Sequence, residues 1–216
     1  MSVTLATGTV FAYASTYGAS VNMTAITNAS EAVATLAVGH GVTVGDYLEV
    51  TSGWDKLNAR IVRAKTVATN DITFESINTT STTAYPAGSG TGTIRRITAW
   101  TNLSQITTGF GASGGDQNYA DITTITDTVQ KQIPTTRSPV AVTLPFFDDP
   151  SLSWYPGVVT ISDSATATGF RASFPNGSKL VANAYYSIRK VPTVEDSTLR
   201  SEVSVSFASE PVRYAT

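Results

Sequence analysis

Near the C-terminus, Val203, Val205 and Phe207 are apolar, while Glu202, Ser204 and Ser206 beside them are polar. That period of two belongs to a strand with one buried face. Residues 179–189 are rich in Val, Ala, Tyr and Ile and follow Pro175-Asn176-Gly177-Ser178. Asn-Gly between two extended runs predicts a hairpin, because both residues accept positive φ. Short apolar runs recur at 9–13, 47–51, 61–67, 72–77, 92–97, 121–129 and 140–144, many separated by Gly, Pro, Asn or Asp. Thr and Val are stiff at χ1, which suits pleated sheet and weakens helix. The pattern predicts an all-β protein.

One short helix or irregular turn is expected near Asp148-Asp149-Pro150, where Asp caps backbone N–H groups and Pro suits a first turn. Pro156-Gly157 should interrupt it, and Val158-Val159-Thr160-Ile161 is poor helical sequence. Residues 1–5 lack the basic start and long apolar stretch of a leader and read as a strand, implying synthesis in the cytoplasm without export by that route. Residues 25–97 make a self-contained series of short strands punctuated by the Gly-rich stretch 88–92. They are expected to form a small barrel of about five or six strands, inserted into a core domain of residues 1–24 and 98–216.

Composition narrows the chemistry. Only 14% of the 216 residues are charged, against about 25% in a typical domain; Ser and Thr supply the missing polarity. The chain has no Cys, which excludes disulfides, thiolate nucleophiles and Cys-ligated metal. Its one His leaves no multi-His metal cage. A net charge of −2 argues against a tight grip on phosphates. No apolar run approaches the roughly 18 residues of a membrane helix.

The stretch Phe170-Arg171-Ala172-Ser173-Phe174-Pro175-Asn176-Gly177 reads as a strand ending in a turn. A long strand to Lys190, a polar connection through Val191 to Ser197, and a final strand at 198–208 follow it. That order resembles the major tail tube proteins of long-tailed, non-contractile bacteriophages (siphoviruses), the family that includes the phage lambda tube protein. The likeness covers residues 140–209 best and 107–134 more loosely. A second likeness lies in Gly39-His40-Gly41, Gly45-Asp46, Lys56-Leu57-Asn58 and Asn70-Asp71-Ile72-Thr73-Phe74. These are similar to a small β-barrel module embedded in phage tail proteins and related to a domain of ubiquitin-activating enzymes. Ala59 stands where that module usually has Gly.

The resemblance implies a tail-tube β-sandwich or barrel with the small barrel on the tube exterior. It implies a late structural protein of the virion tail, assembled in the host cytoplasm. Hexameric rings would stack into a hollow tube, sheets from neighbouring subunits closing around the lumen. Implied partners are other copies of the chain, tail proteins at the tube ends, and the tape measure protein and double-stranded DNA passing through without tight binding. No cofactor, metal, membrane or catalysis is implied. Asp121, Asp127, Glu195, Asp196 and Glu202 flank or lie on strands that this family uses near the lumen, and form the candidate acidic lining. Ordinary solvated strand faces explain them equally well.

Other residues have plain readings. His40, in a glycine-flanked turn, is expected to bond backbone groups rather than act as base or ligand. Asp148-Asp149 is more simply a turn or cap signal than half of a glycosidase carboxylate pair. The Gly-rich run 109–115 lacks the Lys-Ser/Thr of a phosphate loop and reads as a flexible inter-subunit loop. Arg95-Arg96 and Arg189-Lys190 read as salt-bridge partners at the surface or between subunits. Trp54, Trp100 and Trp154 read as core or junction fillers. Two other functions remain in view: a receptor- or carbohydrate-binding module of a tail tip or surface adhesin, with Trp54 or Trp100 stacking on sugar, and a polysaccharide hydrolase.

Overall fold

The computed structural model describes residues 7–215, and the expected strand at 1–5 lies outside them. In chain order the elements are β1 (Val10–Ile26), β2 (Val33–Leu36), β3 (Tyr47–Ser52), β4 (Arg60–Ala68), β5 (Asp71–Phe74), β6 (Gly92–Leu103), β7 (Gly111–Ser113) and β8 (Gln117–Asp121). There follow β9 (Gln132–Arg137), β10 (Ala141–Phe147), α1 (Tyr155–Ser164), β11 (Thr168–Ser173), β12 (Lys179–Ile188), β13 (Thr193–Glu195), β14 (Thr198–Phe207) and β15 (Val212–Tyr214). The all-β expectation with one short helix holds. Among the described residues no helix is long and apolar enough to cross a membrane.

The architecture hangs on one long ribbon. β1 pairs antiparallel with β6 from Phe11↔Leu103 at one end to Met23↔Gly92 at the other. Both strands run through the expected boundaries at 24/25 and 97/98, so the chain passes between its two cores inside unbroken strands. Around one end of the ribbon, β6, β3, β4, β5, β2 and β1 pair in succession and close a ring. Its interior holds Leu48, Val50, Trp54, Ile61, Ile72 and Phe74. Around the other end, the sheet continues β6-β1-β11-β12-β14-β10. Just past β6 the chain meets β10 again: Ile106 bridges Phe146, and the Thr107 N–H donates to the Pro145 carbonyl at 2.8 Å. This second, nearly closed barrel encloses Phe11, Tyr13, Leu144, Phe146, Trp154, Phe170, Tyr186, Val203 and Val205. Closure removes the free edges that invite aggregation.

Three local expectations need correction. The helix begins at Tyr155, later than expected, and contains Pro156-Gly157 instead of being broken by them. Pro156 sits in the first turn, where no N–H is needed. Gly157 is required there because an added Cβ would stand 2.1 Å from the Tyr13 hydroxyl. Asp149 instead closes a turn, accepting from the Ser151 N–H and hydroxyl at 3.0 and 2.6 Å. The β-branched run 121–129 is mostly a turn, because β8 ends at Asp121. The hairpin at 174–178 forms as expected, yet only Gly177 uses positive φ, at 82°. Its bonds, Gly177 N–H to Phe174 and Phe174 N–H to Ser178, mark a turn followed by a bulge.

Ala59 has φ 58°, the left-handed region in which a Cβ is strained. Glycine there removes the clash at some cost in unfolded-chain entropy. Ala59→Gly is therefore expected to stabilise the protein by about 0.5–1 kcal/mol, raising Tm by roughly 2–3 °C. A calorimetric Tm at or below the parent value would contradict this.

Candidate functional site

Between β7 and β10 the chain leaves the barrels as a two-stranded arm in which, among the described residues, β8 pairs only with β9. Tyr119, Ile122, Ile125, Val129 and Ile133 are all exposed on it. A lone two-stranded ribbon is marginal in water, and this one carries its own caps. Asp121 accepts from the Thr123 N–H at 2.8 Å and hydroxyl at 2.5 Å. Asp127 accepts from the Thr124 N–H at 2.8 Å and hydroxyl at 2.9 Å, and pairs with Lys131. These contacts hold both carboxyls below the ordinary range, through Thr123 for Asp121 and chiefly through Lys131 for Asp127.

By linkage, a lowered native value gives stability that is full above the ordinary aspartate value of 3.8 and lost as pH falls through the depressed values. Acidification is expected to loosen the arm tip while both barrels persist, read as loss of Thr123 and Thr124 amide protection by NMR. Tip amides that stay protected down to global acid unfolding would refute it.

The second feature is a sheet face. β10, β14 and the end of β12 turn one side into the second core and the other outward, and β7, exposed at all three residues, extends this sheet beyond β10. Antiparallel register aligns the outward positions in rows. Ser113, Ala141, Ser206 and Tyr185 form one; Gly111, Thr143, Ser204 and Ser187 form the next. Charge gathers at one end of this face and is paired there. Glu202 bonds Arg189 at 2.5 Å, and Arg200 reaches Glu195 at 3.2 Å and Asp196 at 3.7 Å. Asp196 and Ser197, with φ 49° and 61°, make the tight turn that brings β13 onto β14. Glu195, Arg200 and Glu202 line one open groove with Thr143 and Phe147.

The five candidate acids therefore separate into two groups. Glu195, Asp196 and Glu202 form one corner of the large sheet, whereas Asp121 and Asp127 lie on the arm. The arm itself escaped sequence reasoning, although Thr flanked by Asp at 121–124 and 124–127 carried the signal of side-chain caps.

The remaining singled-out residues behave structurally. His40 contacts the Thr69 carbonyl through Nε2 at 2.8 Å and accepts the Val42 N–H at 3.1 Å. Arg95 pairs with Glu49, Arg96 with Asp46, and Lys190 with Asp163, all within the chain. The run 109–115 contains β7 and pairs with β10. Trp54 and Trp154 are fully buried. Trp100 is covered by the Arg171 guanidinium 4.5 Å from its ring centroid. Trp54 and Trp154 thus offer no face to a sugar, and Trp100 is half-buried with one face taken by Arg171. Among the described residues no group of three or more His, Cys, Asp or Glu is arranged to hold a metal ion.

Comparison with known families decides the identity. The family model for phage tail tube proteins matches residues 52–216. The chain belongs to the phage tail tube protein family. The matched stretch takes in β4, β5 and β6 of the first barrel, the whole arm, the outward face of β7, β10, β14 and β12, and all five candidate acids. No curated protein matches the chain. Membership makes this tail tube protein a structural component of a bacteriophage tail.

Proposed function

We propose that the protein assembles into hexameric rings that stack into the tail tube and conduct the genome, without catalysis. The outward face of β7, β10, β14 and β12 lines the lumen, and the inserted barrel stays outside. One observation carries this reading: apart from Tyr185, the two rows of the face hold Ser, Thr, Ala and Gly, and the Arg189 and Arg200 at its charged end are already paired with carboxylates. A phosphate backbone is held by free Lys and Arg through counterion release, and this surface offers it little. Glu195, Asp196 and Glu202 then face the passing DNA, while Asp121 and Asp127 shape the arm that reaches a neighbouring copy. The tape measure protein would occupy the same lumen before ejection.

Electron microscopy of the purified protein tests the proposal. Six-fold rings and tubes with a lumen wide enough for duplex DNA are expected. Protein that stays monomeric at high concentration, or rings of another order, would overturn it.

A further inference from the structure

The two barrels meet along one junction, where β3 and β4 lie against β11 and β12. Gly169 permits the approach, since a Cβ there would stand 2.9 Å from Ile61 Cδ1 and 3.2 Å from Ile97 Cδ1. Some bonds cross it: the Gly169 N–H donates to the Tyr17 hydroxyl at 2.9 Å, and Asn183 Nδ2 donates to Glu49 at 3.1 Å. Yet polar mismatch is concentrated here. Arg60 Nε, Arg171 Nε and Asn183 Oδ1 are buried here without a hydrogen-bond partner, and the buried Tyr47 hydroxyl has only the Arg63 guanidinium beside it. Buried polar groups are normally satisfied, and a half-satisfied set weakens the contact that encloses it.

The ribbon joining the barrels is also irregular. Its register shifts three times between Ala14 and Ser20, and such bulges bend and loosen a ladder. β15 spans the junction from the other side. It pairs with Lys179–Val181 of β12 while Val212 and Tyr214 enter the first barrel's core. The Tyr214 hydroxyl accepts the Arg63 N–H of β4 at 2.8 Å, and the Arg63 guanidinium lies 4.6 Å from the Tyr214 ring centroid. Arg213 turns the other way, over Phe174 at 4.8 Å and to Ser178 at 3.2 Å.

We infer that β15 is a clasp: the first barrel is hinged to the second at residues 14–20 of the shared ribbon, and β15 holds the pair closed over a junction that does not hold itself. The clasp acts within one chain and does not depend on the tube reading.

Hydrogen exchange on the full chain tests it. Tyr214→Phe removes one hydroxyl and keeps the ring. It is expected to speed exchange of β3 and β4 amides by roughly five- to tenfold, the Arg63 amide included, as the loss of one hydrogen bond implies. Exchange at Val203 and Val205 should not change. Tyr214→Ala should extend the selective loss to roughly a hundredfold or more. The chain has no native Cys, so spin labels at Val38→Cys and Val194→Cys report the distance between barrels cleanly. One narrow distance is expected with Tyr214 present and a second population with Tyr214→Ala. Equal acceleration in both barrels, unchanged β3 and β4 exchange, or an unaltered distance distribution would overturn the inference. If Tyr214→Ala does not fold, the exchange pattern of Tyr214→Phe decides alone.

Discussion

Ile125→Asp combined with Val129→Asp is expected to abolish tube formation while leaving the folded monomer intact. Both side chains stand at the arm tip and are almost wholly exposed, at 103% and 72%. They touch neither core, so neither barrel loses a contact. If the arm docks on a neighbouring copy, each side chain contributes about 1.5–3 kcal/mol by leaving water. Losing both weakens each contact by roughly 3–6 kcal/mol, or about a hundred- to ten-thousandfold in the concentration needed to assemble. Introduced carboxylates add the cost of burying charge. Sedimentation velocity and electron microscopy read the assembly, and thermal unfolding reads the monomer. Tubes that form at the parent concentration would remove the arm from the contact, whereas a fallen Tm would show that the tip supports the fold.

Trp154→Ala is expected to destabilise the second barrel severely. Trp154 is fully buried and packs edge-on against Phe146 with ring centroids 5.0 Å apart. Its Nε1 donates to Ser104 Oγ at 3.1 Å, tying the start of α1 to the segment that closes the second barrel. Truncation removes the ring's transfer free energy and leaves a cavity. Substitutions of this kind cost about 3–5 kcal/mol, a large part of the roughly 5–15 kcal/mol that holds a domain together. A Tm lower by roughly 10–15 °C is expected from circular dichroism. A drop under about 3 °C would mean that the site collapses around the missing ring.

Much of the fold was legible because its signals are local. Alternation at Val203, Val205 and Phe207 reports a half-buried strand wherever that strand sits. Pro175-Asn176-Gly177 marks a turn because only a few residue types tolerate its backbone. Pattern failed where contacts made by distant residues outweighed local preference. Val158, Val159 and Ile161 are poor helix formers, yet they lie on α1, where Val158 is fully buried in the second core. The β-branched run 121–129 looked like a strand, but Asp121 and Asp127 draw the backbone into turns. The full length of β1 was hidden because Ser15, Thr16, Gly18 and Ser20 interrupt its apolar pattern where the register shifts.

The candidate acids show the same division. Their carboxylates and their nearness to strands were plain from the chain. Their sorting into an arm and a sheet corner depends on which partner each strand finds. Arg200 serves Glu195 and Asp196 because β13 folds back on β14, and Asp121 belongs to another sheet because β8 pairs with β9.

The amino-acid sequence by itself determined the strand-rich class, the charge-poor and hydroxyl-rich surface, and the likeness to tail tube proteins, since each depends on residue type and short-range order. Only the tertiary structure decided that two barrels share one ribbon, that a hydroxyl face looks outward, and that Tyr214 fastens β4. A period of two says that a strand has two unlike faces and cannot say what covers either. Arg63 and Tyr214 stand 151 residues apart, and their bond exists only once both barrels have closed.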